Sequence, residues 1–209
     1  MNEHVLVLAK APIVGQVKTR LCPPWSFDQA AVVAEAALAD TLDAVAASGA
    51  TRKILVLEGK PGPWLPEGFE LIRQRGSSLN ARLDAAWLDA NGPGFQIGMD
   101  TPQVSAALID RCLSAVCDHH ETLFGPAVDG GWWALGLSGW TAGLFDGVSM
   151  SSASAGAQQL ARLRQLGFSP SILPTLRDID TVDDALIVAA LIPRSRTARV
   201  VDEIVETAA

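Results

Sequence analysis

Four short segments hold the residues that could do chemistry, and each lies where an apolar run gives way to a polar turn. The first runs from Lys10 to Leu21 and sets three cations, Lys10, Lys18 and Arg20, around Gly15. Cations supply charge and bare backbone N–H groups supply direction, the combination a phosphate requires. The Gly-Lys-Ser/Thr order of a Walker A loop is absent. A solvated basic loop has the same composition, so the segment alone leaves both readings open. The second segment, Ile97 to Pro102, ends an apolar run on Asp100. Such a carboxylate suits Mg2+ or Mn2+ bridged to a diphosphate, and equally suits capping of the turn that follows.

The third segment, Gly125 to Trp133, places Asp129 ahead of Gly130 and Gly131. Two glycines permit positive φ or the close approach of a substrate, although a plain Asp-Gly β-turn reads the same. Trp132 and Trp133 would face opposite sides of a strand, so at most one stacks on a ligand and the other belongs to the core. The fourth segment is Arg177-Asp178-Ile179-Asp180-Thr181. In extended chain Asp178 and Asp180 point the same way, as paired metal ligands would. Asp180 is also placed to N-cap the next helix, with Asp183 in its first turn. His4, His119 and His120 fall outside all four segments and read as structural or solvated.

The elements that must hold these segments follow from hydrophobic period. His4 to Ala9 is apolar on both faces, as a parallel strand covered by helices is. Ser26 and Gln29 form a capping-box pattern ahead of an Ala-rich helix to Ala47. Strands are predicted over 53–57, 69–73, 95–98, 122–124, 132–137 and 172–173, and helices over 79–90 and 105–118. A Ser/Ala/Gly loop from Val148 to Gly156 precedes a helix ending at Gly167, and Val182 to Leu191 is a helix stopped by Pro193. The packing of the tail, 193–209, is not readable from the pattern. Strands alternating with helices imply an α/β chain with a largely parallel sheet. Ligands bind such sheets at the carboxyl ends of strands, where all four segments fall. With no repeat and no linker, 1–209 reads as one domain.

The formal net charge of −7 opposes a nucleic-acid partner, whereas a local cluster of cations still permits a nucleotide. Cys22, Cys112 and Cys117 fit no zinc or redox spacing. Glu3 and His4 lead directly into the first strand with no signal peptide, and no run is long and apolar enough to span a bilayer. A cytoplasmic chain is expected. Leu-, Val- and Ala-rich helices serve a core or an interface equally well, so the oligomeric state stays open.

Taken in order, Lys10-Ala11-Pro12 through Arg20-Leu21, Gly98-Met99-Asp100-Thr101-Pro102, Gly125 to Gly131 and Asp178-Ile179-Asp180-Thr181 resemble one bacterial family. It is the radical-SAM/selenodomain-associated transferase family, GT-A-fold glycosyltransferase-like proteins. More distantly, the pattern is similar to the 2-phospho-lactate (or phosphoenolpyruvate) and molybdenum-cofactor guanylyltransferases, a likeness that Ser78 to Leu83 strengthens. The resemblance implies a GT-A, Rossmann-like three-layer sandwich with a mostly parallel mixed sheet. It implies a nucleotide on Ala9, Lys10, Ala11, Gly15, Lys18, Arg20 and Asp100, with Asn80 beside the base. It implies Mg2+ or Mn2+ on Asp100 with Asp178 or Asp180, and an acceptor near Gly130, Gly131, Trp132 and Ser151. Asp129 would serve as base and Lys18 would stabilise charge on the phosphates. The donor is a nucleotide sugar or a nucleoside triphosphate. Glycosyl transfer, nucleotidyl transfer with release of pyrophosphate, and a non-catalytic nucleotide-binding module are the three functions it allows. This chain departs from the pattern at Thr101-Pro102, where a second acid is common. It departs again at Val148 to Ser152, where a Pro-Trp-Ser-Thr run is common, and at Trp132 and Trp133, which are often Tyr.

Overall fold

The computed structural model describes residues 3–208. Seven strands form one sheet in the order β3 (Phe69–Arg73), β2 (Arg52–Glu58), β1 (His4–Lys10), β4 (Gly94–Gly98), β6 (Trp132–Leu137), β5 (Leu123–Pro126), β7 (Ser171–Ile172). Every adjacent pair is parallel except those that β6 makes with β4 and β5. The mostly parallel mixed sheet expected from the resemblance is therefore present.

Alternation along β1 explains the layers. Val5, Val7 and Ala9 face one side and pack on Leu38, Leu42 and Val45 of α1 (Phe27–Ala46) and on Ile109, Cys112 and Val116 of α3 (Ala106–Asp118). Leu6 and Leu8 face the other side, where Ala86 and Ala90 of α2 (Leu79–Ala90) cover them. Leu163 of α4 (Ala155–Gln165) joins Trp87, Phe124 and Phe145 on that same face. With both faces covered, the central strands can be apolar throughout. α5 (Val182–Leu191) and α6 (Arg196–Ala208) pack outside α1.

Local chemistry sets the helix ends. The Ser26–Gln29 capping box of α1 forms as the sequence predicts. α5 departs from expectation: Thr181, not Asp180, is its N-cap, and Asp184 completes a capping box. Thr181 offers the hydroxyl one residue later, which releases the Asp180 carboxylate for other partners. The segment after Pro193 forms α6, whose first turn is capped from outside. Asp40 of α1 accepts from the Thr197 N–H at 2.8 Å and from its hydroxyl at 2.7 Å. The cysteines are free; burial pushes the Cys112 thiol up to about 11, far from a reactive thiolate. Among the described residues no helix is long and apolar enough to cross a membrane.

Candidate active site

Strand order decides what meets at the carboxyl edge of the sheet. β1, β2 and β4 all end there, β6 begins there, and the turn after β5 lies alongside. A cavity of about 770 Å3 opens over this edge. On the β1 side its wall includes Ala9, Lys10, Arg20, Gln74 and Arg82. In the middle stand Asp100, Asp178 and Asp180, and on the β6 side Asp129, Gly131, Trp132, Met150, Ser151 and Ser152.

The acids are brought together by one backbone contact. The buried Ile179 donates its N–H to the Asp100 carbonyl at 3.0 Å, which ties the strand end to the acidic turn. Asp178 and Asp180, flanking Ile179, both reach the cavity wall. Lys18 sits in left-handed backbone (φ 48, ψ 34), a conformation that costs a non-glycine residue about 1–2 kcal/mol. Its side chain is only 8% exposed, with Nζ 2.7 Å from Asp100 Oδ1 and 3.4 Å from Asp180 Oδ1. Burial alone would lower the Lys18 pKa, but Asp100 and then Asp180 outweigh it and hold the ammonium above its ordinary value. Arg20, 70% exposed, meets the other Asp180 oxygen at 2.8 Å.

Asp178 has no such partner among the described residues. Burial, then the neighbouring Asp100 and Asp129 carboxylates, push it up to about 7, and Lys18 opposes the rise. Its Oδ1 is buried without a hydrogen bond. Asp100 Oδ1 touches the Lys18 ammonium as an ion pair but lacks the alignment of a hydrogen bond. One buried carboxylate oxygen without a partner, on Asp178, beside a second on Asp100 that Lys18 alone neutralises, would suit a hard divalent cation. Among the described residues no three His, Cys, Asp or Glu side chains form a closed metal cage. Mg2+ is bound in that way as a rule: one or two carboxylates hold it and substrate phosphates complete the shell.

The remaining sequence-predicted residues divide clearly. Asp129 is exposed, and its Oδ1 accepts from the Gly131 N–H at 2.8 Å. That is an Asx turn, which leaves Oδ2 facing solvent. Trp132 lines the cavity with its ring stacked on Phe145, whereas Trp133 is 2% exposed and donates to the Pro174 carbonyl at 3.0 Å. Ser151 lines the wall at φ 60. Several residues expected in the site lie beside it. Lys18 lies beneath the carboxylates rather than on the wall. Ala11 is buried against Gly59, and Gly15 sits in an open turn. Gly130 (φ 88) is a packing residue: a Cβ there would collide with the Ala153 carbonyl. Asn80 turns away from the cavity, donating to the Phe145 and Val148 carbonyls at 2.7 and 2.9 Å.

Arg82 is the residue that inspection of the Ser78–Leu83 segment missed. Its guanidinium meets Glu58 at 2.6 Å on the cavity wall, and Lys10 meets the same carboxylate at 3.4 Å. The signal was helical period: Leu79, Arg82 and Leu83 share one face of α2 and all three line the cavity. Asn80 falls on another face. Gln74, which donates to the Ala9 carbonyl at 2.7 Å, carries no local sequence signal.

Residues 30–152, more than half of the 209-residue chain, match a family described as an uncharacterized protein conserved in bacteria, DUF2064. No curated protein matches the chain. Among solved structures, one from Desulfovibrio desulfuricans G20, described as a candidate nucleotide-diphospho-sugar transferase, superposes with a TM-score of 0.87. It is 24% identical, with 97% of this chain and 94% of that one covered. Rv0371c of Mycobacterium tuberculosis H37Rv, in complex with manganese, gives 0.54 at 19% identity, covering 90% and 98%. The 2-C-methyl-D-erythritol 4-phosphate cytidylyltransferase of Thermus thermophilus gives 0.53 at 17% identity, covering 90% and 97%. At these identities the likeness shows a shared fold, that of nucleotide-sugar transferases and cytidylyltransferases.

Proposed function

We propose that this chain, which belongs to the DUF2064 family, is a nucleotide-dependent transferase that moves a glycosyl group from a nucleotide sugar to a hydroxyl acceptor. One observation carries the reading: a single cavity at the carboxyl edge of a mostly parallel sheet gathers Lys10, Arg20 and Arg82 with Asp100, Asp129, Asp178 and Asp180 on its wall. Lys10, Arg20 and Arg82 stand on the β1 side, where a diphosphate needs them. Asp100 and Asp178 lie next along the edge and would hold Mg2+ or Mn2+ between protein and diphosphate. When bound, that ion would neutralise charge on the leaving diphosphate. Asp129 lies beyond, with one carboxylate oxygen free.

In the proposed reaction Arg20 and Lys10 hold the diphosphate and fix the sugar carbon toward the β6 side, a contribution of position rather than of covalent chemistry. The acceptor oxygen bonds to the anomeric carbon as the bond from that carbon to the phosphate oxygen breaks. The electron pair leaves with the nucleoside diphosphate, and the acceptor proton passes to Asp129. Lys18 stays beneath the site as the counter-ion of the Asp100 and Asp180 carboxylates.

A second reading, nucleotidyl transfer, is favoured by the fold shared with the cytidylyltransferase. The two differ in product. Purified protein with Mg2+ is incubated with nucleotide sugars and, separately, with nucleoside triphosphates. Release of nucleoside diphosphate from a nucleotide sugar, lost in Asp100→Ala, supports glycosyl transfer. Release of pyrophosphate replaces it with nucleotidyl transfer. Tight nucleotide binding that survives Asp100→Ala with no turnover of any donor would leave a non-catalytic binding module.

A further inference from the structure

We infer that the acceptor is an uncharged or cationic hydroxyl compound with an apolar face, not a phosphorylated or carboxylated one. The inference rests on the proposed function for which half of the cavity is the donor's. Among the described residues no Lys, Arg or His stands on the β6 side of the wall. What does stand there is Trp132, Met150, Ser151 and Ser152, with the Asp129 carboxylate at the edge. An anion in that half would be desolvated beside the Asp129 carboxylate with no cationic side chain to compensate it, which is unfavourable by the same rule that keeps buried charges paired.

The unsatisfied groups on the β6 side are those that a polyol or amino alcohol satisfies. The indole N–H groups of Trp87, Trp133 and Trp140 each have a protein acceptor. Trp132 Nε1 has none among the described residues and is not buried. Ser152 donates to the Ser149 carbonyl at 2.7 Å, whereas the Ser151 hydroxyl makes no bond to any described residue. Ser151 is also one of few non-glycine residues at positive φ among the described residues, a strained placement of the kind that clusters at ligand sites. A free indole N–H, a free hydroxyl and one free carboxylate oxygen on Asp129 offer neutral donors and a hydroxyl-proton acceptor. The ring of Trp132 offers the apolar surface on which a carbon-bound face can lie.

The test uses matched pairs: glucose and glucose 6-phosphate, glycerol and glycerol 3-phosphate, ethanolamine and phosphoethanolamine. Each is titrated into the full chain without nucleotide, and tryptophan fluorescence is read as the difference between wild type and Trp132→Phe. At least one unphosphorylated member is expected to give a Trp132-dependent change. Its phosphorylated partner is expected to bind at least about tenfold more weakly at low salt, and Asp129→Asn is expected to narrow that gap. A phosphorylated member that binds as well as its partner overturns the inference, as does a panel in which nothing alters the Trp132 signal. Nucleotide binding is followed separately by thermal shift. If nucleotides fail to bind while the preference for uncharged partners holds, the donor assignment falls and the electrostatic inference stands.

Discussion

Replacing Lys18 with Met should destabilise the ligand-free protein because it strips a buried ammonium from two carboxylates. Removing one partner of a buried ion pair typically costs about 3–5 kcal/mol, chiefly for the charge left behind. Two features of this site reduce that figure. Asp100 is 37% exposed and can recover some hydration, and Asp180 keeps Arg20 at 2.8 Å. The methionine also fills most of the lysine's volume, and the strained backbone is retained. The expected loss is therefore about 2–3 kcal/mol, which for a chain of this size lowers Tm by about 5–10 °C. Urea unfolding at pH 8 in EDTA, with the slope checked for constancy, measures it. The charge argument adds a second requirement: Lys18→Met combined with Asp100→Asn should recover at least half of the loss. If the single variant is as stable as wild type, the ammonium is not compensating the acids. If the double variant is no better than the single one, the cost lies in packing and the electrostatic account of the site is wrong.

Three further outcomes are expected. Burial lowers His4 from 6.5 to about 4, so as pH falls the unfolded chain takes the proton first; stability is intact above about 6.5 and is lost toward 4 by at most about 1.4 kcal/mol per pH unit. Urea unfolding across that window should show a shallower acid limb in His4→Leu, and equal slopes would contradict the assignment. Asp178 has the opposite sign: its folded value, about 7, lies above 3.8, so its stabilising share is complete below 3.8 and lost as pH rises through 7. Asp178→Asn should accordingly gain about 1–2 kcal/mol at pH 8 in EDTA, gain nothing at pH 4, and abolish transfer. Gly130→Ala, forced into positive φ and against the Ala153 carbonyl, should cost more than about 1 kcal/mol and shift the Ser151 loop; an unchanged Tm would show that the loop yields freely.

How much of this was legible in the sequence depended on whether the cause was local. Helix ends built on adjacent side chains, such as Ser26 with Gln29, could be read directly, and the Trp132/Trp133 alternation sorted one ring to the cavity and one to the core. Strand order could not be read, because the pairing of β4 with β6 depends on contacts between segments distant in the chain. For the same reason the sequence showed three cations around Gly15 but not that one of them is buried. The fate of Lys18 is set by Asp100 and Asp180, which arrive from other elements. The Thr181 cap was missed because Asp180 competes for the same role on local propensity, and only its partnership with Arg20 and Lys18 decides between them. Asn80 and Arg82 differ by two residues, and a helix separates such neighbours by more than half a turn.

The missing second acid after Asp100 is resolved by the same distinction. Thr101 and Pro102 are buried, so a carboxylate at either position would have to be desolvated. In the proposed site the second acid would be Asp178, on a turn far downstream that the Ile179 N–H to the Asp100 carbonyl ties to the strand end. The start of α5 fixes that turn, because Asp184 there accepts from the Thr181 N–H at 2.9 Å and from Arg177 at 2.6 Å. The pair of acids is thus a property of the fold rather than of a motif. Its geometry depends on α5 being capped and docked, which gives the outer helices a role in the site without any of their side chains entering it. It also accounts for Lys18: acids brought together by tertiary contacts need a counter-ion while no ligand is bound, and the buried ammonium supplies it from the loop that follows β1.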